Sequence, residues 1–108
     1  MFNMTETGFH VTFKNGYKLS VQWGEGNYCS NRRSVFTSFT SCNGLQLHES
    51  RTAEIAAFRP DDTYLHLGDY DDVVGWLSAD EVADYIAIIS GPNPESACKP
   101  IPTIDSAA

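Results

Sequence analysis

An α+β fold is predicted: a small antiparallel sheet of about four to five strands with one C-terminal helix packed on one face. Three stretches of the 108-residue chain predict it. In the first, Phe9 to Trp23 (FHVTFKNGYKLSVQW), apolar residues alternate at Phe9, Val11 and Phe13, and again at Tyr17, Leu19, Val21 and Trp23. Period 2 marks strands with one buried face. The second, Thr52 to Phe58 (TAEIAAF), competes with helix on its Ala and Glu but is short and runs into Pro60-Asp61-Asp62, a turn signal that favours a strand. The third, Ser78 to Ser90, has a polar start and a helical apolar period.

Residues 1–8 are polar and expected to fray, which leaves 9–90 as one globular domain. Within the first hairpin, Asn15-Gly16 signals a tight turn, and the apolar rows decide its type. A two-residue turn would put Phe13 opposite Lys18 and the rows on opposite faces. A three-residue loop, Lys14-Asn15-Gly16 with Gly16 left-handed, pairs Phe13 with Tyr17, Val11 with Leu19 and Phe9 with Val21, so both rows share one face. The three-residue loop is the expectation.

Gly24 to Arg33 (GEGNYCSNRR) forbids regular structure over any length. It is expected to tuck Tyr28 and Cys29 under the sheet edge, with Asn side chains capping backbone groups. Its alternative role is a binding loop that presents Arg32 and Arg33. Ser34 to Cys42 carries Val35, Phe36 and Phe39 and reads as an irregular edge segment or a loop pinned by aromatics. Leu45 to His48 reads as a short strand or bridge after the Asn43-Gly44 turn.

Thr52 to Phe58 should face Ala53, Ile55 and Ala57 one way and Glu54, Ala56 and Phe58 the other, in a hairpin with Tyr64 to Leu67. The small alanines suit a helix packed closely over this strand. Gly68 to Gly75 reads as a bend from which Val73 and Val74 enter the core. The helix then starts at a capping box, Ser78 with Glu81, and Leu77 stands where a hydrophobic staple would put it. Val82, Ile86 and Ile89 form its buried face, and Ile88 lies beside the polar face, where it offers a contact for a second subunit. Gly91 and Pro92 stop the helix. Residues 91–108 hold four of the five prolines and read as a weakly ordered tail, in which Ile101 and Ile104 are the docking candidates.

Net charge is −7 and unevenly placed. Pro60 to Cys98 contains nine carboxylates and no Lys or Arg. This split argues against a protein that tracks nucleic-acid phosphates and favours an acidic face for a basic protein surface. Asp69, Asp71, Asp72, Asp80 and Asp84 are the candidate contacts, with Arg32 and Arg33 as the second set. No stretch is long and apolar enough to span a bilayer, and three cysteines without metal spacing fit a reducing cytoplasm.

Catalytic patterns fail in turn: no phosphate loop, no HExxH, no CxxC and no nucleophile elbow. Cys29 or Cys42 with one of His10, His48 and His66 is a remote Cys-His pair. The Asp69–Asp72 bend, joined by Asp61 or Asp62, offers hard oxygens to a divalent cation but lacks the EF-hand pattern. It reads as a solvated bend whose Asp side chains take backbone hydrogens. No enzyme activity, cofactor or metal is expected.

Gly8, Phe9, Thr12, Phe13, Asn15, Gly16, Ser20, Val21, Gln22, Gly24, Gly26, Asn27, Tyr28 and Cys29 form a G-F-x-x-T-F-x-N-G…S-V-Q-x-G-x-G-N-Y-C opening. With Ala53 to Phe58 and Ser78, Asp80, Glu81, Val82 and Ala83, it resembles a group of small uncharacterised proteins carried by tailed bacteriophages. The resemblance implies an origin and a workplace, the cytoplasm of an infected bacterium, but no mechanism. A small acidic phage protein without a catalytic motif is expected to bind a host or phage protein. Inhibition of a host defence nuclease, by occupying its nucleic-acid groove, is one form of that expectation.

Overall fold

The computed structural model describes residues 1–31, 49–69 and 71–100. Among them lie strands β1 (Phe2–Met4), β2 (Gly8–Thr12), β3 (Lys18–Gln22), β4 (Thr52–Phe58), β5 (Tyr64–Leu65) and β6 (Val73–Ser78). Helix α1 (Ala79–Ile89) and a short 3-10 turn (Pro94–Ala97) follow. The strands form one antiparallel sheet in the order β1-β2-β3-β4-β5, with β6 also paired to β4. β4 is the centre: β3 runs along one edge, and β5 and β6 share the other.

The first hairpin takes the register that the apolar rows demand. Phe9 faces Val21 and Val11 faces Leu19. The Phe13 N–H donates to Tyr17 O at 2.8 Å and Gly16 has φ +88°, so the three-residue loop is present. Opposed residues in an antiparallel sheet point to the same face. Val21 in turn faces Ile55, Leu19 faces Ala57, and Ala57 faces Leu65, which builds one apolar face across four strands. Leu19, Ile55, Leu65, Leu67 and Ile89 are fully buried, each worth roughly 1.5–3 kcal/mol. Val11, Val21, Leu77 and Val82 complete the cluster, and Phe9, Phe13, Trp23 and Ile86 pack at its margin, half-buried.

Helix α1 forms as its cap dictates. Ser78 Oγ accepts from the Glu81 N–H at 3.2 Å, and Glu81 Oε1 accepts from the Ser78 N–H at 3.0 Å. The helix touches β3, β4 and β6 and sends Val82 and Ile89 into the core cluster. Its far end is held from the first hairpin: Asn15 Nδ2 donates to Ile89 O at 2.9 Å and to Gly91 O at 3.3 Å. The asparagine that makes the β2–β3 loop thereby also satisfies carbonyls that the last helical turn leaves open.

Three expectations change. The N-terminal residues do not fray: β1 pairs with β2, Phe2 opposite Val11 and Met4 opposite Phe9. An open β2 edge next to a short apolar alternation is enough to recruit it. The segment after Gly68 is a bend only as far as Asp72, because Val73–Ser78 pairs with β4 as a sixth strand. Its alternation is broken by a β-bulge at Gly75-Trp76, opposite Glu54, which hid the strand in the sequence. The stretch after Gly91 is not a loose tail through Lys99: Pro94 is buried, Ala97 and Cys98 pack on the core, and the Lys99 N–H donates to His66 O at 2.6 Å. Expectations for Val35, Phe36, Phe39, Cys42, Leu45 to His48, Ile101 and Ile104 fall outside the described residues.

Candidate interaction surface

The five aspartates proposed as contacts occupy two different settings. Asp69 and Asp72 are engaged within the fold. Lys99 Nζ stands 3.3 Å from Asp69 Oδ1, and His66 Nδ1 stands 3.4 Å from Asp72 Oδ1. Asp71 Oδ1 accepts from the Asp72 N–H at 2.7 Å, as expected of a bend whose side chains take backbone hydrogens. These three carboxylates shape the connection into β6.

Asp80 and Asp84 differ. Both are exposed on α1, one turn apart, and neither has an ion pair or hydrogen bond among the described residues. Ile88 continues the same i, i+4, i+8 line and is also exposed. The outer side of α1 is therefore a stripe of two unpaired carboxylates followed by an apolar residue. Like charges four residues apart disfavour an isolated helix by about 0.2–0.5 kcal/mol, so the spacing of Asp84 from Asp80 does not serve helix stability. Arg32 and Arg33 lie outside the described residues.

The Gly-Asn loop is built largely as expected. Asn27 Oδ1 accepts from the Gly24 N–H at 2.9 Å, Asn31 Nδ2 donates to Trp23 O at 2.9 Å, and Cys29 is fully buried with Sγ 3.4 Å from Gly24 O. Tyr28 is the correction: its backbone is pinned but its ring is exposed. The Glu54 carboxylate accepts from the Tyr28 N–H at 2.9 Å and from Asn27 Nδ2 at 3.2 Å, while Tyr28 O accepts from the Trp76 N–H at 2.8 Å. Trp76 follows the bulge glycine with φ +59° and is 55% exposed. A bulky residue held left-handed costs on the order of 1–3 kcal/mol, so it marks this corner as strained.

A second polar group escapes sequence reasoning altogether. Arg59 Nη2 and Nε donate to the Glu95 carboxylate at 3.0–3.2 Å, and the Tyr17 hydroxyl donates to Glu95 Oε2 at 2.6 Å. The Arg59 hydrogen bonds, followed by that of Tyr17, hold the Glu95 carboxyl below the usual carboxylate range. The bond to Glu95 pushes the Tyr17 phenol up. Asp61, which accepts from the Thr63 hydroxyl and N–H, is lowered by them. These partners sit up to 78 residues apart, and no local signal links them.

Among the described residues His66 is the one buried titratable group near the acidic bend, and its Nε2 has no partner there. His10 is exposed, on the outward row of β2 as expected. Cys29 lies buried within its own loop. Among the described residues no group of three or more His, Cys, Asp and Glu side chains is placed to hold a metal ion. None of the described helices is long and apolar enough to cross a membrane. A cavity of about 350 Å³ opens between α1 and the sheet, lined by Phe9, Val21, Trp23, Leu77, Val82 and Ile86 among others. Its wall is mostly apolar, with Glu49, Ser50, Arg51 and Thr52 also lining it. Comparison with family models, with curated proteins and with solved structures finds no match.

Proposed function

We propose that this is a non-enzymatic phage accessory protein, working in the cytoplasm of the infected bacterium, that binds a basic surface of a host or phage protein. In this reading α1 covers one face of the sheet and turns its other side to the partner. The carrying observation is the pair Asp80 and Asp84, exposed and unpaired on α1, in a protein of net charge −7. Asp69, Asp71 and Asp72 belong to the same acidic half but are partly spent on local contacts, so they contribute to the field rather than to direct pairing.

The test follows from the geometry. Asp80 sits in the first turn, where the helix dipole favours an anion, so it is neutralised rather than reversed. The variant is D80N/D84K. Immobilised wild type is expected to retain one stoichiometric basic protein from a lysate of the infected host. The variant, with an unchanged circular-dichroism spectrum, should retain at least tenfold less. Wild-type retention should also weaken between about 50 and 300 mM salt as exposed charges are screened. Equal retention by both proteins at both salt concentrations would remove the acidic stripe from the mechanism.

A further inference from the structure

Among the described residues the most exposed large apolar side chains are Met4 at 91%, Met1 at 81% and Phe2 at 78% relative exposure, on β1 or next to it. Among the described residues β1 pairs only with β2, and no described strand takes its other edge. The phase of the β1–β2 ladder fixes what that edge presents. Met1 and Thr12 exchange two backbone hydrogen bonds, each 2.8 Å, and the Thr5 N–H donates to Gly8 O at 3.0 Å. Hydrogen-bonded and non-bonded pairs alternate along an antiparallel ladder. Asn3–His10 is therefore bonded, while Phe2–Val11 and Met4–Phe9 are not. The N–H and C=O groups of Phe2 and Met4 point away from β2, to that other edge.

The geometry points to a second copy of this chain as the occupant, added edge to edge and antiparallel through β1, on a two-fold axis at Asn3. That register sets Phe2 of one protomer opposite Met4 of the other, and the outward backbone groups of these two residues then form four intermolecular hydrogen bonds. It also puts Phe2 and Met4 of both copies on the same face, because they share the face of Val11 and Phe9. Asn3 meets its own copy on the opposite face. Backbone phase requires the axis to pass through a residue rather than between two, and the Phe2–Asn3–Met4 alternation selects Asn3. An axis at Phe2 sets Met1 against Asn3, and an axis at Met4 sets Phe2 against Glu6.

Within Phe2–Met4 there is no Lys, Pro, charged side chain or bulge, so the strand's shortness is the one edge-protecting device it carries. The apolar contact continues inward. The Phe2 ring meets Phe9 edge-on at 6.3 Å, and Phe9 meets Trp23 edge-on at 6.3 Å. A three-residue strand makes a small interface, so the dimer is concentration-dependent rather than obligate. This inference does not depend on the acidic stripe of α1.

Sedimentation velocity on the full chain, from about 5 to 500 µM, reads it directly. Wild type is expected to pass from 11.9 kDa toward twice that mass. M4K is expected to remain monomeric throughout, with an unchanged circular-dichroism spectrum because Met4 makes so little contact in the monomer. In a C42S/C98S background, N3C should form an intermolecular disulfide under mild oxidation, since the facing Cα atoms would lie roughly 4.5–5.5 Å apart. E6C, three positions from the axis, should not. A monomer at every concentration overturns the inference. So does a dimer that survives M4K and leaves N3C uncrosslinked, which would place association elsewhere, with exposed Ile88 the first alternative.

Discussion

Ile89→Ala is expected to lower folding stability by about 2–5 kcal/mol, the range for truncating a fully buried branched side chain. For a small domain with about 5–15 kcal/mol in total, that is a large fraction. Ile89 is the helix's main anchor for two reasons: its side chain is fully buried in the core cluster, and its carbonyl accepts from Asn15 Nδ2. Ile86, one face-turn earlier, is only half-buried and lines the open cavity beside Val82. Ile86→Ala should cost clearly less, because the space it vacates already connects to that cavity. Urea denaturation of both variants checks the order. Equal midpoint shifts, or a larger one for Ile86, would mean that the helix is rotated from the orientation described.

Gly75→Ala is expected to cost about 1–3 kcal/mol and to release the Gly-Asn loop. A methyl group there would run into Tyr28 Cβ and stand 2.7 Å from Tyr28 O. Tyr28 cannot simply step aside, because its N–H is bound to Glu54 and its carbonyl to the Trp76 N–H. The readout is Cys29, buried with no exposure in the native loop. In a C42S/C98S background its thiol should react with a disulfide reagent at least tenfold faster in G75A than in the parent. Gly26→Ala is the control: an added Cβ there meets nothing within 4 Å. If G75A and G26A label alike, the loop is not held by the bulge.

Sequence reasoning reached the parts of this fold that rest on local chemistry. The β2–β3 register followed from one alternation and one glycine, and the helix from its own capping box. It missed β1 because three residues carry too little pattern, and β6 because the Gly75-Trp76 bulge shifts the phase of its alternation. At the candidate surface, charge counting found the acidic half but could not separate Asp80 and Asp84 from Asp69 and Asp72. That separation depends on Lys99 and His66, which only the folded chain brings near. The Arg59–Glu95–Tyr17 group was unreadable for the same reason.

That group has a consequence in proton linkage. Glu95 has a folded-state pKa below its unfolded value, so its stabilisation is present above the carboxyl's unfolded value, about 4.3, and is lost as pH falls through the depressed folded value. Tyr17 has the opposite sign: its folded pKa is raised, so its contribution is present below about pH 10 and is lost as pH rises through the raised value. Between these limits the group ties Pro94–Ala97 to the β2–β3 loop and to the end of β4. Acid should therefore detach this C-terminal segment ahead of the sheet, which is held by its apolar core. Limited proteolysis within Pro94–Lys99 at stepped pH values reads the detachment: cleavage by an acid-tolerant protease should accelerate as pH falls below the carboxyl's unfolded value. In E95Q, where the charge is already gone, cleavage should be fast at every pH and lose this dependence. An acid step that persists unchanged in E95Q would assign it to another carboxylate, Asp61 first, since its bonds to Thr63 depress it too.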